Sequence, residues 1–182
     1  MIEKWTTTDE KYLLDLKIFE AKSRKRINPK NGRESYFTVL ESQDWVNIIP
    51  VTKDNKIVMV EQYRHGTDSV TIELPGGMVE HGEDYADAAV RECIEETGYK
   101  GIGLPVRLGQ VRPNPAFLTN KCTTFLWNDC ELFNEQNLDH NEVINIKLFT
   151  IDEIKKMIDS GIINHSIILN AFMFYFMYKA II

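Results

Sequence analysis

The stretch "ELPGGMVEHGEDYADAAVRECIEETG", Glu73 to Gly98, constrains the fold more than any other part of the chain. It opens on a strand-like segment that a Pro-Gly-Gly turn must stop. Asp84 then has the side chain of a helix N-cap, with Asp87 in the first turn. Gly98 is a typical residue after a helix C-terminus. The sequence therefore predicts a strand, a tight turn and a helix from about Asp84 to Gly98.

The predicted helix carries three carboxylates on one side. At about 100° per residue, Glu92, Glu95 and Glu96 share an arc of roughly 100°. Like charges at this spacing repel, in a chain whose net charge is already -6. One interpretation is a solvated helix that tolerates the repulsion; the other is a site for a hard cation such as Mg²⁺ or Mn²⁺. The predicted packing face is made of Ala86, Ala89, Val90, Cys93 and Ile94.

The spacing of the fixed residues is specific. Gly77, five residues, Glu83, seven residues and then "RECIEETGY" resembles the signature box of Nudix hydrolases. Cys93 and Tyr99 stand where aliphatic residues are usual. The resemblance implies an α/β fold, the Nudix α/β/α sandwich with a mixed sheet.

The resemblance also implies a set of metal ligands. Glu92 and Glu96 match the principal ligand positions, and Glu95 matches a third ligand of many members. Glu83 supports the metal or its waters, and the carbonyl of Gly76 is a further ligand in some members. The implied cofactor is Mg²⁺, with Mn²⁺ as a substitute. An ion pair that orients the glutamates is the role implied for Arg91.

Three flanking segments resemble one branch of the family, the ADP-ribose pyrophosphatases and nucleoside diphosphate sugar hydrolases. These segments are "VMVEQYRHG", "TIELPGGMVEHGE" and "DSGIINHSIILNAF". The resemblance implies hydrolysis of ADP-ribose or a nucleotide sugar such as GDP-mannose to a nucleoside monophosphate and a sugar phosphate. It places Arg64 on the diphosphate, a role that suits a planar guanidinium. A surface charge at a strand end is the alternative for Arg64.

The same branch implies a general base in a late loop. In "NLDHNEV", Glu142 best matches the loop glutamate. His140 lies where relatives can carry an acid, which leaves the assignment of the base open. Glu95 or Glu96 is an alternative base, and Glu142 is then an exposed loop acid.

The nucleoside and sugar contacts are expected in less patterned segments. The loop "RPNPAFL", which includes Phe117, borders the substrate in this branch or is a rigid connector. Trp45 stacks on a base or is a core or interface residue. Residues 1–44 are expected to form dimerising β-strands, including a hairpin, and residues 45–182 the Nudix domain. In a homodimer, Arg33 or Trp45 would contribute to the partner's site.

The composition excludes several other classes. An acidic chain with pI ≈ 5.3 is not expected to bind nucleic acid. Three cysteines without a CxxC pair indicate neither a disulfide framework nor a zinc site. The apolar end "SIILNAFMFYFMYKAII" is expected to be a buried helix, with membrane contact or an oligomer face as alternatives. Without a signal peptide at its start, the chain is expected in the cytoplasm.

Two further functions stay open at this stage. One is the same fold acting on dinucleoside polyphosphates, NADH or damaged nucleoside triphosphates. The other is a non-catalytic nucleotide-sugar-binding module. The sequence keeps all the glutamates of the signature box, which argues against this second function.

Overall fold

The computed structural model describes residues 1–181. The chain forms two compact units. Unit 1 consists of Met1–Gln43 and Arg112–Lys121, and unit 2 consists of Asp44–Val111 and the chain from Cys122 onward. The sequence pattern did not indicate that the loop from Arg112 belongs with the N-terminal strands.

Unit 1 is built on a three-stranded antiparallel sheet of order β1-β2-β3. Its strands are β1 (Thr6–Asp15), β2 (Glu20–Ile27) and β3 (Glu34–Glu41). The turn between β2 and β3 is closed by the Asn28 N–H, which donates to the Arg33 carbonyl at 2.9 Å. This turn closes the hairpin that was expected within residues 1–44.

Unit 2 contains a seven-stranded mixed sheet. Its core order is β10-β5-β4-β9-β7, with β6 paired to β5 and β8 paired to β9. The β4–β9 pair is parallel and the other pairs are antiparallel. The strands are β4 (Trp45–Thr52), β5 (Lys56–Arg64), β6 (Ser69–Glu73), β7 (Tyr99–Lys100), β8 (Val106–Val111), β9 (Cys122–Leu132) and β10 (Ile144–Thr150).

Helices cover both faces of this sheet. They are α1 (Tyr85–Thr97), α2 (Ile151–Asp159) and α3 (Ser166–Ile181). Alternate residues of β4 point to opposite faces, so Val46 and Ile48 pack with α1 in one buried cluster. Ile49 and Val51 pack with α2 and α3 in the other. The α/β/α sandwich with a mixed sheet is confirmed.

The apolar C-terminal helix lies mainly in the core. Ile168, Ala171 and Phe172 of α3 are each at most 1% exposed and pack under the sheet. Met173 and Met177 face outward. No helix within residues 1–181 combines the length and the hydropathy that crossing a bilayer requires. The expectation of a buried helix is therefore confirmed for one face of α3, while the opposite face is exposed.

Candidate active site

The helix α1 begins and ends at the predicted residues. The Asp84 side chain accepts a hydrogen bond from the Ala86 N–H at 2.7 Å and caps the first turn. Gly98 adopts a left-handed conformation with φ 70°, and its N–H donates to the Ile94 carbonyl. These two ends fix which side of α1 faces the sheet and which carries the carboxylates.

The glycine turn brings backbone close to both the sheet and the helix. The Val46 N–H donates to the Gly77 carbonyl at 2.9 Å, which pairs the turn with β4. A Cβ atom at Gly76 would lie 2.2 Å from the Val46 carbonyl oxygen. A Cβ atom at Gly77 would lie 2.4 Å from a carboxylate oxygen of Glu92. Both positions therefore need glycine, the first for the sheet and the second for the carboxylate.

Glu96 is buried between the turn and the sheet. It is 5% exposed, and one carboxylate oxygen accepts the Gly76 N–H at 2.9 Å. Burial raises the pKa of Glu96 to about 8, with the hydrogen bond from Gly76 acting in the opposite direction. The charges of Glu92 and Glu142 raise this pKa further. The three carboxylates therefore lie within electrostatic range of one another.

The burial of Glu96 corrects one detail of the predicted helix. The sequence assigned the three carboxylates to a side separate from the packing face. In the structure Glu96 lies at the border of the two and is buried beside Cys93 and Thr97. The helix thus holds one of its carboxylates in the protein interior.

Arg91 organises the remaining carboxylates. Its guanidinium makes five hydrogen bonds, which matches the number of its N–H donors. Two go to Glu83 at 2.9 and 3.0 Å, and one each goes to Glu92 at 2.8 Å and Glu95 at 3.1 Å. The fifth goes to the Met78 carbonyl. Arg91 makes the ion pairs that the sequence implied for it.

The pKa values of the carboxylates near Arg91 shift in opposite directions. The hydrogen bonds from Arg91 hold the pKa of Glu83 below its ordinary value. Burial instead raises the pKa of Glu92, although Arg91 opposes this. Negative charge on the half-buried Glu92 and the buried Glu96 therefore carries an energetic cost that a cation would remove.

The loop that carries Glu142 is attached to the end of α1. The Asn137 N–H donates to the Glu95 carbonyl at 2.9 Å, and the Gln136 side-chain amide donates to the carbonyls of Glu96 and Ile144. The Glu142 carboxylate accepts the Asp139 N–H at 3.2 Å and is exposed. The loop therefore brings the exposed Glu142 carboxylate within electrostatic range of Glu92 and Glu96 on α1.

Arg64 lies at the end of β5 and faces the same charges. Glu96 and Glu142 both raise the pKa of Arg64, after the larger effect of its hydrogen bonds to Glu73. Two of its N–H donors are used by Glu73, each at 2.8 Å. Three donors of the guanidinium remain for a ligand. The structure thus brings Arg64 together with the carboxylate cluster.

The other predicted substrate residues lie apart from this cluster in the chain. Arg33 ends the β2–β3 turn of unit 1 and is exposed. Phe117, also in unit 1, lines a cavity of about 480 Å³ with Trp5, Phe37 and Arg112. Trp45 begins β4 in unit 2 and forms a bridge with Met78 of the glycine turn. The substrate roles of Arg33, Trp45 and Phe117 stay predictions.

The carboxylates fit a divalent cation in their chemistry. Hard oxygen donors are what Mg²⁺ and Mn²⁺ prefer, and a buried carboxylate whose pKa is raised to about 8 favours a neighbouring cation. Within residues 1–181, no three His, Cys, Asp or Glu side chains are gathered into a ready-made metal centre. Arg91 instead holds Glu83, Glu92 and Glu95 as ion-pair partners.

The family follows from a comparison of the whole domain. Residues 42–169 match the family described as NUDIX domain. The chain belongs to the Nudix family. The matched segment contains the glycine turn, α1, Arg64 and the Glu142 loop. Divalent metals are generally required in Nudix hydrolases, in agreement with the donor set described above.

Several relatives are similar to parts of the Nudix chain, from 38% to 71% of its length. An ADP-ribose pyrophosphatase of Bacillus subtilis (strain 168) is 29% identical over 131 residues, 71% of this chain and 70% of that protein. An ADP-ribose pyrophosphatase of Saccharomyces cerevisiae is 34% identical over 118 residues, 60% of this chain and 51% of the yeast protein. A methanol dehydrogenase activator of Bacillus methanolicus is 44% identical over 70 residues, 38% of each chain.

A solved structure shares the fold. A crystal structure described as an ADP compounds hydrolase superposes with a TM-score of 0.85 and covers 98% of this chain and 95% of that chain. This structural similarity supports the fold. The sequence identity of 18% is too low to support a shared substrate.

Two residues beside the site had no signal in the sequence pattern. Glu73 is the last residue of β6, is 2% exposed, and forms hydrogen bonds with both Arg64 and His165. His165 lies 92 residues away from Glu73 along the chain. A pattern of local spacing cannot connect residues this far apart.

Proposed function

We propose that this Nudix protein is a divalent-metal-dependent pyrophosphatase that hydrolyses ADP-ribose or a related nucleoside diphosphate sugar. The products are a nucleoside monophosphate and a sugar phosphate. The observation that carries the proposal is the grouping of Glu96 and Glu142 within electrostatic range of Arg64, with Glu92 within range of both carboxylates. The names of the Bacillus subtilis and yeast relatives support the substrate class.

The metal in this proposal is Mg²⁺, with Mn²⁺ as a substitute. Glu92 and Glu96 are the principal ligands. Glu95, Glu83 and the Gly76 carbonyl are the further ligands or supports. An ion held by these residues would polarise phosphate oxygens and would lower the pKa of water.

The chain's own residues bind the substrate and move the proton. The free N–H donors of Arg64 bind oxygens of the diphosphate, since a guanidinium forms short charge-assisted bonds to phosphate. Arg91 stays in its ion pairs and keeps the glutamates oriented. An arginine on the substrate and a cation on the carboxylates together offset the charge of an anionic substrate near an acidic helix.

Glu142 is the general base of this proposal. A carboxylate oxygen of Glu142 takes the proton of the attacking water, the new bond forms at one phosphorus, and the bond to the bridging oxygen breaks. Its exposure suits this role, because an acid on a loop can approach a bound substrate and leave afterwards. Glu95 and Glu96 remain the alternatives for the base.

The proposal includes a homodimer formed through residues 1–44, with residues 45–182 as the Nudix domain. Arg33 or Trp45 would then contact the nucleotide sugar in the partner's site, and Phe117 would border it. Support comes from exposed apolar side chains of unit 1 such as Tyr12, Leu14 and Tyr36. A reducing cytoplasm fits the free thiols of the three cysteines.

A substrate panel tests the proposed function. Initial rates are measured with ADP-ribose, GDP-mannose, diadenosine tetraphosphate, NADH and 8-oxo-dGTP, each with Mg²⁺ and with Mn²⁺, and the products are separated by ion-exchange chromatography. We expect ADP-ribose or GDP-mannose to show the highest kcat/KM and to release a nucleoside monophosphate. A preference for any of the other three, or no turnover at all, would refute the proposed substrate class.

A further inference from the structure

Glu73 ends the strand β6 as one of the most buried charged side chains of the molecule, with 2% exposure. Each of its carboxylate oxygens accepts two hydrogen bonds. One accepts from Arg64 Nε at 2.8 Å and from the Thr71 hydroxyl at 2.7 Å. The other accepts from Arg64 Nη2 at 2.8 Å and lies 3.1 Å from His165 Nδ1. This carboxylate is fully used within the protein.

The strand register explains how Arg64 reaches this carboxylate. In the β5–β6 ladder, Arg64 lies opposite Ser69 and Gln62 lies opposite Thr71. Residues two apart on a strand share a face, so the Arg64 side chain extends back along the sheet, past Thr71, to Glu73. A flexible side chain of this length has many conformations in isolation, and the two bonds to Glu73 select one of them.

The hydrogen bonds to Glu73 outweigh the effect of its burial on its pKa. Burial by itself raises the pKa of Glu73, yet Arg64, His165 and Thr71 together hold this pKa well below its ordinary value. The bidentate geometry also fixes the plane of the guanidinium. Because Nε and Nη2 each donate to Glu73, three N–H donors of the guanidinium remain for a ligand.

His165 holds the other side of Glu73. The carboxylate is an acceptor, so His165 Nδ1 carries the hydrogen of this bond. The His165 carbonyl accepts the N–H groups of Ile168 and Leu169 and thereby starts α3. The position of Glu73 is consequently fixed from the sheet by Arg64 and from the helix layer by His165.

We propose that Glu73, held in place by His165, is a positioning residue that sets the orientation of the Arg64 guanidinium for the substrate diphosphate. This inference rests on the proposed function, because it takes Arg64 as the diphosphate contact. Glu73 itself does not contact the substrate. Its effect is to order the arginine before the substrate arrives, which removes part of the entropy loss of binding.

The first experiment is a double-mutant cycle. The variants R64A, E73Q and R64A/E73Q are assayed for kcat and KM with ADP-ribose and Mg²⁺. We expect E73Q to lower kcat/KM at least about tenfold, mainly through KM. In the R64A background the same change has less than about a twofold effect, because the residue that Glu73 positions is absent. Equal losses in both backgrounds would overturn the proposal.

A second pair of variants keeps the test valid where E73Q perturbs folding. His165→Asn retains an N–H donor near the place of Nδ1, and His165→Ala removes it. We expect the Asn variant to keep most of the wild-type KM, and the Ala variant to raise KM. Equal KM values in the two variants would contradict the role of His165. Glu61→Gln is the matched control, since Glu61 lies on β5 and pairs with Lys147 instead of Arg64.

A binding measurement separates the two proposals. The affinity for α,β-methylene-ADP-ribose, which is not hydrolysed, is measured by calorimetry for the same variants. If R64A binds and turns over like the wild type, the placement of Arg64 on the diphosphate fails. If R64A loses affinity and E73Q keeps the wild-type affinity, the positioning role of Glu73 fails while the proposed function stands.

Discussion

Glu96 is the most buried carboxylate on α1, and its charge is the least favourable part of the site. Glu92 is half-buried, and the charge of Glu142 raises the pKa values of both residues. Arg91 forms ion pairs with Glu83, Glu92 and Glu95. None of its five hydrogen bonds goes to Glu96, so the charge of Glu96 has no compensation from Arg91. A buried carboxylate whose pKa is raised to about 8 is a candidate for a functional role.

The variant Glu96→Gln tests this conclusion. The amide keeps the shape and removes the charge, so we expect kcat to fall by on the order of 100-fold or more. The free energy of unfolding of the metal-free protein should stay the same or rise, because the amide oxygen can still accept the Gly76 N–H and the side chain no longer has to ionise in a buried position. Activity is followed by product release and stability by urea unfolding. Asp87→Asn, an exposed acid in the first turn of α1, is the control and should keep its activity. Wild-type kcat in E96Q would contradict the role of Glu96.

At the scale of elements, the end of α1 is joined to the segment that leads to Glu142. The Gly98 carbonyl accepts the N–H groups of both Phe133 and Asn134. A Cβ atom at Gly98 would lie 2.0 Å from the Asn134 carbonyl oxygen. Helix α1 and the loop therefore share one contact that only glycine permits.

The variants Gly98→Ala and Gly103→Ala separate backbone strain from this contact. Both glycines have positive φ, 70° and 68°, but a Cβ atom at Gly103 meets nothing within 4 Å. We expect Gly103→Ala to lower the free energy of unfolding by about 1 kcal/mol from strain. Gly98→Ala adds the steric contact and should lower it by roughly 2–5 kcal/mol. Urea unfolding measures both, and equal losses would show that the Asn134 contact is unimportant.

The elements differ in how far the sequence predicts them. Asp84 and Gly98 mark α1 correctly because caps are local and involve neighbouring residues. The hairpin at Asn28 is local in the same way. The burial of Glu96 was not predicted, because helical spacing gives a direction and not the distance to the sheet. Glu73 and His165 meet only through the folded arrangement of β6 and α3, which no local pattern encodes.

At the scale of the whole molecule, the Glu73 network ties β5, β6 and the start of α3 together and should affect acid stability. Folding lowers the pKa of Glu73 from the ordinary 4.5, so the folded state favours the charged form. Its stabilising contribution is therefore complete above pH 4.5 and is lost as the pH falls below this value. We expect the free energy of unfolding of E73Q to change less than that of the wild type between about pH 6 and pH 3.

Urea unfolding at a series of pH values checks this expectation. The control is Glu131→Gln, because the pKa of Glu131 is also lowered, by its hydrogen bond to Lys53, but the pair is exposed. Exposed ion pairs contribute little to stability, so this variant should follow the wild-type pH profile. Parallel profiles for E73Q and the wild type would contradict the assigned charge state of Glu73.

The exposed sheet of unit 1 leads to a prediction about the oligomeric state of the protein. All ten residues of β1 are exposed, and an isolated sheet of this size needs an apolar face covered for stability. The exposed large apolar side chains of β1 are Tyr12, Leu13 and Leu14, and Leu16 and Ile18 follow in the connection to β2. A second copy of the chain is the partner that we expect to cover them.

Size-exclusion chromatography with light scattering should give twice the chain mass of 21.1 kDa. Leu14→Glu places a charge within the proposed interface and should give the mass of one chain. Ile102→Glu, an exposed apolar position of unit 2, should remain a dimer. If Arg33 or Trp45 acts in the partner's site, the monomeric Leu14→Glu variant also loses activity on ADP-ribose. A monomeric variant with full activity would show that each chain holds a complete site.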